Sequence, residues 1–218
     1  EYLKVTWISY RRNYLEYKAI EVRKRDQIAT IALNRPERLN AISGSMLNEL
    51  AAKMVEANKD PDIRCIILTG AGRGFCSGLD LVDVNNGGIG SGNRGSNRPR
   101  QLFDLRDAPI TVMWSLDTPV ICALNGAAAG YGMDITLLCD IRIAAKSAKM
   151  AAVTAKRNVV PESGGTWLLP KLIGWAKAAE LYYFVHKNPH LFDLKSNNFY
   201  LGLSSAFCLR VVYSQYFI

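Results

Sequence analysis

Histidine is almost missing from this chain. Its 218 residues hold two, His186 and His190, both near the carboxyl end. A Ser-His-Asp or Cys-His catalytic set in the main body is therefore not expected, nor is a histidine-bound metal. The five cysteines form no CxxC pair, and most sit in apolar runs, where a thiol behaves as a small hydrophobe. An odd count without a framework argues against disulfides and for a reducing intracellular compartment, cytoplasm or mitochondrial matrix. No metal and no resident cofactor is expected. No run approaches the roughly 20 apolar residues of a membrane span, so no membrane partner is expected either. The start, Glu1-Tyr2-Leu3-Lys4, lacks both a Met and a secretion-signal layout, which fits a fragment.

Acidic residues are outnumbered, 19 against 27 Lys and Arg, for a net charge of +8. Such an excess suits either solubility or an anionic partner. The basic clusters Arg11-Arg12 and Arg23-Lys24-Arg25 read as a solvated arm and a hairpin turn. No nucleic-acid reading motif accompanies them, so nucleic acid is not the expected ligand. With histidine scarce, acid–base work falls to carboxylates, Lys, Tyr or Cys.

Apolar residues make up 49% of the chain and charged residues 21%, ordinary for a globular domain of this length. Residues 17–22 and 28–33 alternate around 23–27 as a β-hairpin. Residues 34–40 form a loop, and Ser43 can cap a helix to about residue 58 with Met46, Leu47, Leu50, Met54 and Val55 on one face. Cys65-Ile66-Ile67-Leu68-Thr69 is a short buried strand, which completes a βαβ unit and implies parallel pairing. A helix is expected at about 100–114, a second βα unit at 120–138, and strands at 140–145 and 150–153. The fold class is α/β, with helices around a core sheet.

Two segments carry chemistry. In the first, the apolar strand ending at Leu124 enters Asn125-Gly126-Ala127-Ala128-Ala129-Gly130-Tyr131-Gly132-Met133-Asp134, where an apolar helix opens with an acid. Small residues let another molecule approach the backbone, and a helix start supplies unpaired amides that favour negative charge. The second is Phe75-Cys76-Ser77-Gly78-Leu79-Asp80. A formal GxGxxG at Gly90-Ser91-Gly92-Asn93-Arg94-Gly95 lies in the polar loop 85–100; no apolar strand leads into it, so a surface loop or flap is expected rather than a dinucleotide site.

With Ile28-Ala29-Thr30-Ile31-Ala32-Leu33-Asn34-Arg35-Pro36-Glu37-Arg38-Leu39-Asn40-Ala41 and Val160-Pro161-Glu162-Ser163-Gly164-Gly165-Thr166, these segments resemble the enoyl-CoA hydratase/isomerase, or crotonase, family. The resemblance covers about 17–181, in order and register. It implies a crotonase-like (ββα superhelix) core on 17–181, an N-terminal arm on 1–16 and an atypical or truncated C-terminal region on 182–218. It also implies an acyl-CoA thioester as substrate and a homotrimer or hexamer as assembly.

By the same resemblance, the amides of Leu79 and Tyr131 form an oxyanion hole, a role suited to fixed N–H dipoles. Gly78, Gly130, Ala41, Arg35, Arg38 and Arg73 would contact substrate or CoA, the arginines as phosphate partners. Family hydratases carry glutamates at the positions of Asp134 and Thr154, so one acid is missing; isomerases carry an acid at Glu162. Glu162 aided by Asp134 is the expected catalytic pair, and Asp80 is expected to shape its turn. Isomerisation and hydration both stay open. The rival reading is a non-catalytic member of the fold whose basic surface binds nucleic acid or a protein.

Overall fold

A computed structural model describes residues 19–85, 108–154, 163–183 and 211–213. Strands β1 (Ile20–Arg25) and β2 (Ile28–Leu33) pair antiparallel, from Ile20 opposite Leu33 to Arg25 opposite Ile28. Their turn is two residues, Asp26 and Gln27, at φ of 50° and 66°. Two left-handed residues in succession match the twist of the flanking strands. The turn is tighter than the expected 23–27, because Arg23, Lys24 and Arg25 continue the strand. Each of those cations has an acid beside it: Glu21 at 2.8 Å, Asp60 at 2.7 Å and Asp26 at 3.0 Å. Exposed pairs of this kind stabilise little. They do neutralise the hairpin and so remove its appeal to a polyanion.

Helix α1 (Gly44–Lys59) starts where expected. The Ser43 hydroxyl accepts from the Met46 amide at 3.4 Å, and the Asp83 carboxylate accepts from the Gly44 amide at 3.0 Å. Both satisfy amides that helix geometry leaves without partners. Met46, Leu47, Leu50 and Met54 are buried against the sheet core, with Val55 half-buried. The chain continues through β3 (Cys65–Gly70), β4 (Gly74–Cys76), α2 (Leu81–Asn85), α3 (Pro109–Trp114), β5 (Val120–Leu124) and β6 (Ala127–Ala129). Then follow α4 (Tyr131–Leu138), β7 (Ile141–Ala144), β8 (Met150–Ala151), α5 (Gly165–Ile173), α6 (Trp175–Tyr183) and β9 (Val211–Tyr213).

The main sheet runs β1-β2-β3-β5-β7-β9, parallel from β2 onward, and a smaller parallel sheet runs β4-β6-β8. In β2 and β3 alternate residues are buried, so Ile31, Leu33, Ile66 and Leu68 build the core. The helix expected at 100–114 is seen from Pro109 on, behind an extended Ala108 (φ −67°, ψ 137°), the conformation a following proline imposes. The start of that expected helix lies outside the described residues, as does the loop expected at 85–100 apart from Asn85, which ends α2. Helix α6 continues across the boundary read between 181 and 182, and β9 pairs in parallel with β7.

Two buried polar side chains lock this framework. The Arg142 guanidinium donates to the carbonyls of Thr136 at 2.9 Å, Cys139 at 2.5 Å and Leu137 at 3.4 Å. These are end carbonyls of α4, which have no partner within the helix and which favour a cation. Asn40, at a left-handed φ of 55°, accepts from the Arg35 amide and donates to the carbonyls of Ala71 and Gly74. Asn40→Ala removes all three bonds and leaves the strained φ. Chemical denaturation should show a loss of about 4 kcal/mol, roughly 1 for each of the three bonds and about 1 for the left-handed backbone.

Candidate active site

Strands β4 and β6 are parallel neighbours, so their C-terminal ends open on the same side. From β4 the chain enters Ser77-Gly78-Leu79; from β6 it enters Gly130-Tyr131. Gly78 has φ 97°, and a Cβ there would lie 2.9 Å from the Ala129 carbonyl and 3.7 Å from the Tyr131 nitrogen. Only glycine allows both that φ and that approach. Gly130, at φ 53°, turns the chain from β6 into α4 while its amide bonds the Ala151 carbonyl at 2.9 Å. Leu79 sits opposite Ile42: the Ile42 amide donates to Gly78 and the Asp80 amide to Ile42. That alternation points the Leu79 amide away from Ile42. The Tyr131 amide belongs to the first turn of α4, where amides point out of the helix end.

Asp134 lies one turn further along α4, and helical side chains lean back towards the N-terminus. This helix is apolar nearly all round, with Met133, Ile135 and Leu137 buried, so it carries Asp134 into the interior, where 3% of the residue is exposed. Burial pushes its carboxyl up to about 7, opposed by a hydrogen bond from the Ser163 side chain. A carboxyl at that value can both take and return a proton at neutral pH. Cys76 is a poor alternative, since burial pushes its thiol up to about 12. Beside Gly130, Val153 Cγ2 would touch an added Cβ at 3.4 Å, and Thr154 follows, so the position expected to lack an acid is occupied by a half-buried threonine.

Asp80 is committed to structure. Burial alone would raise its pKa, but hydrogen bonds from Arg38, the Val82 amide and Arg35 hold it below the ordinary carboxylate range. Arg35 Nη2 lies 3.0 Å from one carboxylate oxygen and Arg38 Nη2 lies 3.1 Å from the other. Arg35 also donates to the Ala41 carbonyl at 2.7 Å. Arg35 and Ala41 therefore brace the loop before α1, whereas Arg38 keeps 44% of its side chain exposed. Arg73 is exposed on the turn between β3 and β4; within that turn, Gly72 packs on Pro36.

The structure thus brings together Gly78, Leu79, Gly130, Tyr131 and Asp134, and sets Arg35, Arg38 and Ala41 around Asp80. Glu162 lies outside the described residues. Two side chains that sequence reasoning assigned no role converge on Asp134. Ser163 was visible only as part of a turn, and Tyr182 only as one of several aromatics past the last motif. Neither has a local signal, because each reaches Asp134 from a separate helix or its entrance. Among the described residues no three His, Cys, Asp or Glu side chains are grouped to hold a metal, and no helix is long and apolar enough to cross a membrane.

Parallel strand ends, two glycine turns in contact and a buried carboxyl beside them define an α/β protein with a candidate site at the strand ends, the usual place for ligands in such sheets. The chain belongs to the enoyl-CoA hydratase/isomerase family, whose sequence model matches residues 23–189. It is 44% identical over 155 residues to the 1,2-epoxyphenylacetyl-CoA isomerase of Escherichia coli, covering 71% of this chain and 58% of that protein. It is 36% identical over 173 residues to a probable enoyl-CoA hydratase of Rhodobacter capsulatus, covering 79% and 64%. The crystal structure of an enoyl-CoA hydratase from Bacillus anthracis matches with a TM-score of 0.64 at 36% identity, over 76% of this chain and 62% of that one. The fold is therefore the crotonase fold, and the chain spans just under two thirds of the length of these relatives.

Proposed function

We propose that the protein binds an acyl-CoA thioester and stabilises its enolate between the amides of Leu79 and Tyr131, with Asp134 moving the proton. The observation that carries this reading is the buried Asp134 carboxyl one helical turn from Tyr131, on a helix whose start leaves no room for a side chain at Gly78. Removal of a proton from carbon puts charge on the thioester oxygen, where preorganised amides stabilise it best. The protonated Asp134 then delivers the proton to a different carbon, two positions along the dienolate, so that the double bond moves, which is isomerisation. Hydration would use the same two amides for a different enolate, formed when a carboxylate-activated water adds to the β-carbon and quenched by protonation of the α-carbon. Glu162 enters as the second acid on its sequence position alone. Of the three arginines set beside the site by the sequence, Arg38 and Arg73 keep exposed surface for CoA phosphates, whereas Arg35 is engaged by Asp80 and Ala41. A homo-oligomer completes the proposal, and among the described residues Trp114, Trp167, Trp175 and Tyr183 are large exposed apolar side chains available for it.

The test is a titration of the protein with an unreactive acyl-CoA analogue, followed by measurement of solvent deuterium entering a bound enoyl-CoA. Saturable binding and exchange are expected. Absence of both in the folded, full-length protein would favour a non-catalytic member of the family instead.

A further inference from the structure

Tyr182 projects from α6 with its phenol oxygen buried and, among the described residues, without a hydrogen-bond partner. A methyl group built on Gly165 would overlap both that hydroxyl and the Asp134 carboxylate, so the two oxygen groups flank one small space left by the missing side chain. A phenol is a donor in want of an acceptor, and an ionised carboxylate has about four lone-pair sites, of which Ser163 takes one.

Other candidates around Asp134 are accounted for among the described residues. On α4, the Thr136 hydroxyl donates to the Met133 carbonyl at 2.7 Å. Helix α3 carries no titratable side chain, and β6 is alanine throughout. Strand β4 brings the Cys76 thiol, packed against Gly132. On α5, Lys171 lies 3.9 Å from the centre of the Trp167 ring; on α6, Lys177 pairs with Glu180 at 2.9 Å and Tyr183 is exposed. Among the described residues, Ser163 and Tyr182 are left as the polar groups beside Asp134.

We infer that Tyr182 is a positioning residue for Asp134: its hydroxyl donates to the carboxylate when Asp134 ionises, and it lets go when Asp134 takes a proton. The inference rests on the reading of Asp134 as the proton-transfer group. Burial, then the Asp134 charge, push the Tyr182 phenol upward, which keeps it a neutral donor throughout the working range.

The carboxyl of Asp134 can be titrated directly by carbon NMR in the full chain, wild type against Tyr182→Phe. A donor to the ionised form lowers the midpoint, so its removal should raise that midpoint by about half a unit to one unit, the latter a tenfold change in proton affinity. Site-specific 3-fluorotyrosine at 182, a stronger donor, should move it the other way and decides the matter where Tyr182→Phe fails to fold. The acid limb of kcat/KM should follow the NMR midpoint, with affinity for the acyl-CoA analogue unchanged. A midpoint that stays put, or moves opposite to donor strength, overturns the inference. Shifts of the stated sign in a protein that exchanges no deuterium would keep the coupling and sink only the proton-transfer role of Asp134.

Discussion

Asp134→Asn is expected to abolish deuterium exchange while making the protein more stable above pH 7. Loss of a positioned acid–base group typically costs two to four orders of magnitude in rate. The stability effect follows from the direction of the shift. Burial raises the native pKa from an ordinary 3.8 to about 7, so the native chain holds this proton more tightly than the unfolded chain. Its stabilising contribution is complete below the unfolded value and is lost as pH rises through about 7. The loss across that window is on the order of 4 kcal/mol for a three-unit shift. Asparagine does not titrate, so urea unfolding at pH 5 and pH 8 should show the parent losing stability that the variant keeps. Parallel pH dependence in the two proteins would mean that Asp134 is solvated, and the site as described would be wrong.

Gly132→Ala is expected to damage both fold and site, because Gly132 is where α4 rests on β4. An added Cβ would lie 2.7 Å from the Cys76 Cβ and 2.8 Å from its Sγ, and would overlap the Cys76 carbonyl. The Cys76 carbonyl and Cβ move only with the strand backbone and are buried, so rotamer change of the thiol alone cannot relieve the clash and helix and strand must part. Overpacking of this kind costs about 1–3 kcal/mol. The separation falls between the strand leading to Leu79 and the helix beginning at Tyr131, which would spoil a shared oxyanion site and cost on the order of a hundredfold or more in turnover. Gly74→Ala is the matched control in the same strand: its Cβ would meet Leu39 at an ordinary 3.7 Å. Thermal unfolding and exchange rates of the two variants should separate clearly. Equal behaviour would show that the contact between α4 and β4 has no part in activity.

Much of the architecture is local and was therefore legible. The alternation in β2 and β3, the Ser43 cap and the apolar spacing of α1 concern neighbours along the chain. Period and capping report such neighbours directly. The hairpin turn is shorter than the sequence suggests because Gln27 gives no sign of a left-handed φ, whereas Pro109 does mark the start of the helix that ends at Trp114. The site was partly legible in the same way. Gly78 and Gly130 stand out as residues where backbone must come close, and Asp134 as an acid in an apolar helix.

The arginines show the limit. Arg35 and Arg38 invite an anion, and the sequence cannot say that Asp80, more than forty residues away along the chain, supplies one. Nor can it say that Arg142 belongs to the end of α4, or that Tyr182 and Ser163 face Asp134. By itself the sequence determined the α/β class, the parallel units, the two glycine turns and the acid near one of them, because each depends on residue type and short spacing. Tertiary structure alone decided how deeply Asp134 is buried, which charges are already paired, and that an aromatic beyond the last recognisable motif ends beside the carboxyl. Burial and pairing are properties of distance in space, and chain separation does not encode them.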